Sequence, residues 1–313
     1  MTPLVLVVVV IAMVTAVSVE AAPSMETTNG TFRFASYYGD HMVLQREPSG
    51  APVWGFGSPG ARVVVVLYRG GAEGEGPRML VQRHEANVST GLGTWFVTLK
   101  PTAAGGPYSL EATELEASWG AAPRGRGLRV TLSDVLFGDV WLCGGQSNME
   151  MTVKQVMNAS WELAQAWRYP RIRLFAVALE QSTRPLTDLS RVDLPWSIPT
   201  AENLGEGDFS VFSAVCWLFG RDLQRALTSR GAAATVPVGL VQSCWGGTPV
   251  EAWSSPQALA RCGLHARHAP HARHAPGGYG DADAAAARFR SSKGVLAAAG
   301  IVHTSSRCGG VVS

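Results

Sequence analysis

The sequence predicts an α/β fold: a parallel sheet carrying helices, preceded by a β-sandwich. Three observations predict it. Short runs rich in β-branched and aromatic residues, separated by Gly/Pro turns, fill residues 32–130 with no helical period among them. From Leu128 onward, strand-like and helix-like segments alternate, the pattern of parallel strands joined by helices. Two glycine pairs, Gly144-Gly145 and Gly246-Gly247, close two of the later strands, at the end where such sheets bind ligands.

The first 22 residues hold an apolar run from Leu4 to Val19. It is shorter than the roughly 20 residues of a membrane span, and small residues follow it, so residues 1–22 read as a signal peptide. No Lys or Arg precedes the run. In residues 32–130 the strand candidates are MVLQ, APVWGFG, ARVVVVLYRG, TWFVTLKP and YSLEATE, with GGAEGEGPR as a polar hairpin loop. A sandwich of about 100 residues accommodates them. Residues 131–262 then alternate. A buried strand ends at LCGG, and Met149, Val153, Val156, Leu163 and Trp167 follow at helical spacing. RIRLFAVAL reads as a strand, FSAVCWLFGRDLQRALTS as an amphipathic helix, and TVPVGLVQSCWGG as a strand running into glycines. Residues 263–313 are low in complexity, with the hexapeptide HARHAP repeated from His265 and His271, and read as a disordered tail.

Net charge is +2, which gives no general argument for a nucleic-acid partner. The excess of Arg and Lys lies in the tail, which lacks interleaved aromatics. The spacing of the tail histidines is that of a metal chelate, but Pro270 and Pro276 break the helix it needs, and no metal or other cofactor is expected. Three N-x-S/T sequons, at Asn29, Asn87 and Asn158, behind a signal peptide predict a glycoprotein of the secretory pathway, secreted or lysosomal, with no stable membrane insertion. Five cysteines in an oxidising compartment allow disulfides. The odd number leaves one thiol free or intermolecular, and the pairing is not readable from sequence.

Ser147, in GGQSNM, is the candidate for chemistry. A serine needs a base and an oxyanion hole to act as a nucleophile. A strand-to-helix turn supplies N–H donors, and flanking glycines let a substrate carbonyl come close. Gly246 or Gly247 is placed to give a second donor. Serine also favours helix N-caps, and locally the cap and the nucleophile look alike.

The stretches FRFASYYGDHMVLQREPSGAPVWGFGSPGA, SDVLFGDVWLCGGQSNMEMTV, SAVCWLFGRDL and VGLVQSCWGGTPVEAWSS give the chain a resemblance to the sialate O-acetylesterases of the SGNH-hydrolase superfamily. The resemblance covers residues 32 to about 263. It implies an SGNH-like, flavodoxin-like sheet, with residues 131–262 as the N-terminal part of the esterase domain. It further implies Ser147 as nucleophile and oxyanion N–H donor, and Gly246 and Gly247 in the oxyanion hole. The activity implied is removal of acetyl groups from O-acetylated sialic acids or sialoglycans through an acyl-enzyme, without metal or cofactor. The family continues with a GESN-type block, whose asparagine completes the hole, and with an acidic residue and a histidine base. No asparagine follows Asn203, and neither block is found, so a truncated and impaired esterase is expected. The alternative is a non-catalytic carbohydrate-binding or regulatory fragment, with Trp54, Phe56 and Trp95 as sugar-stacking candidates; core packing is the simpler role for them.

Overall fold

A computed structural model describes residues 32–70, 77–115, 127–180, 186–205, 211–229, 235–249, 253 and 261. The signal-peptide, Asn29 and tail expectations lie outside these residues. Seven strands come first: β1 (Arg33–Phe34), β2 (Val43–Gln45), β3 (Ala51–Phe56), β4 (Arg62–Arg69), β5 (Met79–Asn87), β6 (Thr94–Leu99) and β7 (Gly105–Leu115). Then follow β8 (Leu128–Gly145), α1 (Ser147–Glu150), α2 (Ala159–Gln165), β9 (Ile172–Val177), β10 (Val192–Ser197), α3 (Ala201–Gly205), α4 (Ala214–Ser229) and β11 (Val238–Cys244).

The strands form a three-stranded antiparallel sheet, β1-β3-β6, and an eight-stranded mixed sheet. The larger sheet runs in the order β10-β9-β11-β8-β7-β4-β5, with β2 paired to β8. Trp54, Trp95 and Leu99 of the small sheet share one apolar core with Val63, Val65, Leu67 and Leu110 of the large one. β4 reads RVVVVLYR and is paired on both sides, by β5 and β7, which suits its run of β-branched residues. The β4–β5 hairpin spans the predicted polar loop.

β8 joins the two parts of the chain. Its first half pairs antiparallel with β7, and its second half pairs parallel with β11. The expected boundary at 130/131 therefore falls inside one 18-residue strand. β9, β11 and β8 are mutually parallel, and β10 adds an antiparallel edge. α4 packs on this sheet through a second core that includes Cys143, Ile172, Leu174, Trp217 and Leu240. Over Asp139–Gly145, β8 has β11 as its one strand partner among the described residues.

The helix expected from Met149 to Trp167 is broken. α1 is a single turn. Thr152 leaves helical geometry to form a β-bridge with Ser213, residues Val153–Gln155 make a 3₁₀ turn, and Asn158 takes a left-handed conformation before α2. Periodicity placed the apolar side chains on one face. The bridge from Thr152 to Ser213, with the left-handed tolerance of asparagine at Asn158, decided the backbone.

Three strands are additional to those expected: β1, β5 and β10. β1 has only two residues, too short to show a pattern. In β5 no residue is buried, and its three large apolar residues Met79, Leu80 and Val81 are consecutive and exposed, as an edge strand allows, so it lacks the apolar alternation of a half-buried strand. β10 contains Pro195, which a sheet tolerates at an edge. Among the described residues, no helix is long and apolar enough to cross a membrane.

Candidate active site

The parallel pairing of β8 and β11 sets Gly144 opposite Ser243 and Gly145 opposite Cys244. Both strands end at this level, so the two glycine motifs meet, although about a hundred residues separate them in the chain. The backbone N–H of Trp245 donates to the Gly145 carbonyl at 2.9 Å, which extends the pairing one residue past the strand ends. Nε2 of Gln146 donates to the Thr248 carbonyl at 3.2 Å. The Thr248 hydroxyl donates to the Trp245 carbonyl at 2.7 Å and accepts from Nε1 of Trp253 at 2.7 Å. The serine turn and the second glycine loop are thus one hydrogen-bonded unit.

Ser147 is the first residue of α1. The N-cap position belongs to Gln146, whose carbonyl accepts from the N–H groups of Met149 and Glu150, and no side-chain cap bond is made. The Ser147 side chain is exposed, and no described side chain is hydrogen-bonded to its hydroxyl. With only one helical turn, the macrodipole is small, and the turn contributes N–H donors rather than a field.

Gly246 stands against this serine. A Cβ added to it would lie 3.1 Å from the Ser147 Oγ and 2.6 Å from Oε2 of Glu150, so any other residue here would displace the Glu150 carboxylate from its present place. The Gly246 N–H is taken: it donates to Oε2 of Glu150 at 2.6 Å. The Gly247 N–H has no partner among the described residues, and this exposed residue holds φ at +73°. Of the two glycines, Gly247 has the open donor.

Glu150 was not visible as a site residue in the sequence. Its position three residues after Ser147 is the spacing of a helix capping box, which is the obvious local role. The structure instead buries its carboxylate and turns it to the neighbouring loop. Cys244 lies beside it, with its thiol donating to the Met149 carbonyl at 3.2 Å. Burial, and then the charge of Glu150, push the Cys244 thiol up to about 12.

The described histidines are remote from Ser147. The backbone of His41 bonds to Ser133, and its Nδ1 lies 2.8 Å from Oδ2 of Asp134, eleven residues before Gly145 on β8. Nη1 of the buried Arg173 donates to the same carboxylate at 2.6 Å and to the His41 carbonyl at 3.1 Å. His84 lies on β5, level through the strand registers with Val130 at the start of β8. Both side chains are bonded elsewhere, His41 to Asp134 and His84 to Oε1 of Gln82.

Cys143 and Cys216 form a disulfide that ties the end of β8 to α4, and Cys244 is a free, buried thiol. Cys262 and Cys308 lie outside the described residues. Asn87 and Asn158 are both exposed. Trp54 and Trp95 are buried in the core, 7% and 1% exposed, with Phe56 packed against the same cluster, so these three rings form no sugar platform. Among the described residues, no group of three His, Cys, Asp or Glu side chains is placed to hold a metal ion.

No protein-family model matches the sequence. The sialate O-acetylesterase of Rattus norvegicus is 48% identical over 234 residues, which is 74% of this chain and 39% of that protein. The sialate O-acetylesterase of Homo sapiens is 46% identical over 233 residues, 74% of this chain and 40% of that protein. Among solved structures, a carbohydrate acetylesterase from Xanthomonas citri matches with a TM-score of 0.58 and 31% identity, covering 74% of this chain and 44% of that one. The chain thus spans about two fifths of the length of the curated relatives it matches. With nearly half its residues shared across three quarters of its length, and a mixed α/β fold like that of a carbohydrate acetylesterase, the chain is a homologue of the sialate O-acetylesterases over that stretch.

Proposed function

We propose that this chain carries the nucleophile half of a serine carboxylic-ester hydrolase that removes acetyl groups from O-acetylated sialic acids or sialoglycans. The observation that carries the reading is the approach of Gly246 to Ser147 at the paired ends of β8 and β11. Ser147 Oγ attacks the acetyl carbonyl carbon. The N–H groups of Ser147 and Gly247 hold the oxyanion, and Gly246 is the close-packed residue that lets the substrate carbonyl lie between the two loops. The carbon–oxygen bond to the sugar then breaks, the sugar hydroxyl leaves with a proton, and water hydrolyses the acetyl-serine. Glu150 holds the second loop in register through its bond to Gly246.

The proton on Oγ needs a base, and the two described histidines, His41 and His84, are bonded elsewhere. We read the chain as impaired for this reason. An oxyanion hole without its base still gives on the order of 10³-fold over water. The fold reading that goes with this is an incomplete flavodoxin-like sheet, joined through β8 to a β-sandwich formed by the first strands. The disulfide and the two exposed sequons support passage through the secretory pathway.

The test is acetate release from an O-acetylated sialic acid by the purified chain, with and without added imidazole. Slow release that imidazole accelerates, and that Ser147→Ala abolishes, is the expected result. Equal rates for wild type and Ser147→Ala would sink the assignment. Glycan binding without any turnover would favour the non-catalytic alternative.

A further inference from the structure

The end of the parallel strands opposite Ser147 carries a second concavity. Tyr169 and Arg171 lie just before β9, and Gln224, Arg225 and Thr228 lie on the last turns of α4; with Arg168 they line a cavity of about 550 Å³. β11 runs its seven residues from this end to Cys244 beside Gly145, so the cavity lies roughly 25 Å from the serine turn.

Its lining is one-sided in charge. Arg168, Arg171 and Arg225 are its charged side chains, and no carboxylate lines it. Asp222, a turn away on α4, accepts from Nη1 of Arg225 at 3.5 Å and from Nε of Arg221 at 2.9 Å, so it answers Arg225 only in part. Two lining residues hold nitrogen donors closed to solvent without an acceptor among the described residues: Nη1 of Arg171 and Nε2 of Gln224. Gln224 as a whole is 6% exposed. Buried donors are rarely left unmade, and a short rotation of either terminal group turns the donor toward the cavity. Arg225 already donates to the Tyr169 hydroxyl, and its guanidinium lies 5.4 Å from the centre of that ring.

We propose that this cavity binds the anionic group of a sugar-sized molecule, a carboxylate or a sulfate carried on a ring. The planar guanidinium donors match the paired oxygens of either group. The volume falls in the range of small-ligand sites, roughly 300–1,000 Å³, and is far larger than a bare anion needs. The site is independent of the esterase reading, since it lies at the other end of the sheet.

Thermal melts of the full chain test the proposal with N-acetylneuraminate as the carboxylate arm, glucose 6-sulfate as the sulfate arm and glucose as the neutral control. At saturation an acidic sugar raises Tm by roughly 5 °C, and glucose leaves it unchanged. The arm that shifts Tm identifies the anionic group. The rise persists in Ser147→Ala. It is lost in Arg168→Ala/Arg225→Ala, whose residues are exposed so that the fold is spared, and in Arg171→Met. An equal rise in the arginine variants, an equal rise with glucose, or no rise with either acid overturns the proposal.

Discussion

Oε2 of Glu150 accepts the backbone N–H of Gly246 at 2.6 Å, so the serine turn reaches across and holds the second glycine loop. The bond removes Gly246 from the set of free donors and leaves that part to Gly247. It also makes a buried carboxylate the link between two segments that are adjacent only in space.

Glu150→Ala leaves the Gly246 N–H without its acceptor and is expected to destabilise the chain by about 1–3 kcal/mol. Glu150→Gln keeps a carbonyl acceptor at the same place and costs less than half as much. Urea midpoints at unchanged m-value measure both. Equal losses for the two variants would show that the bond to Gly246 is not what Glu150 contributes.

Gly246→Ala and Gly247→Ala separate two roles of glycine. At Gly246 the new methyl meets Oε2 of Glu150 at 2.6 Å and the Ser147 Oγ at 3.1 Å, so the carboxylate and the hydroxyl are displaced, and acetate release falls by about 10²-fold. At Gly247 the added Cβ meets nothing within 4 Å, and the cost is the left-handed backbone, about 1–2 kcal/mol of stability. Comparing rates and melting temperatures of the two variants checks the split.

The disulfide between Cys143 and Cys216 closes a sequence separation of 73 residues around the serine turn. Replacing both cysteines with serine is expected to cost about 2–5 kcal/mol. Dithiothreitol should lower the melting temperature of the wild type and leave the double variant unaffected. A wild type insensitive to reductant contradicts the pairing.

Cys244 gives a pH prediction. Its thiol is raised from 9.0 to about 12, by burial first and by the charge of Glu150 second. A raised folded value contributes stability below the unfolded pKa, and that contribution is lost as pH rises from about 9 toward 12. At pH 9 native Cys244 should resist iodoacetamide, and the urea-unfolded chain should be labelled there. Peptide mass spectrometry distinguishes Cys244 from Cys262 and Cys308. Rapid native labelling at Cys244 would contradict the burial.

Much of the strand order was legible because local composition carries it. VVVV in β4 and the glycine turn after LCGG read directly. β5 did not, since an edge strand need not alternate, and β10 did not, since Pro195 argues against a strand unless the edge is known. The long helix after Ser147 failed for a non-local reason. Thr152 finds its backbone partner in Ser213, about sixty residues later. The role of Glu150 was hidden because its spacing from Ser147 fits a local cap equally well.

By itself the sequence determined two strand–glycine units, a serine at the turn of one, and the family to which they point. These follow from short-range sterics and from residue patterns within about ten positions. Only the tertiary structure decided that the two units stand side by side, and that Gly246 gives its N–H to Glu150 while Gly247 keeps its own open among the described residues. Those outcomes depend on the parallel register of β8 and β11, in which each backbone partner is supplied by a segment about a hundred residues away and is therefore set by the packed sheet rather than by neighbouring residues.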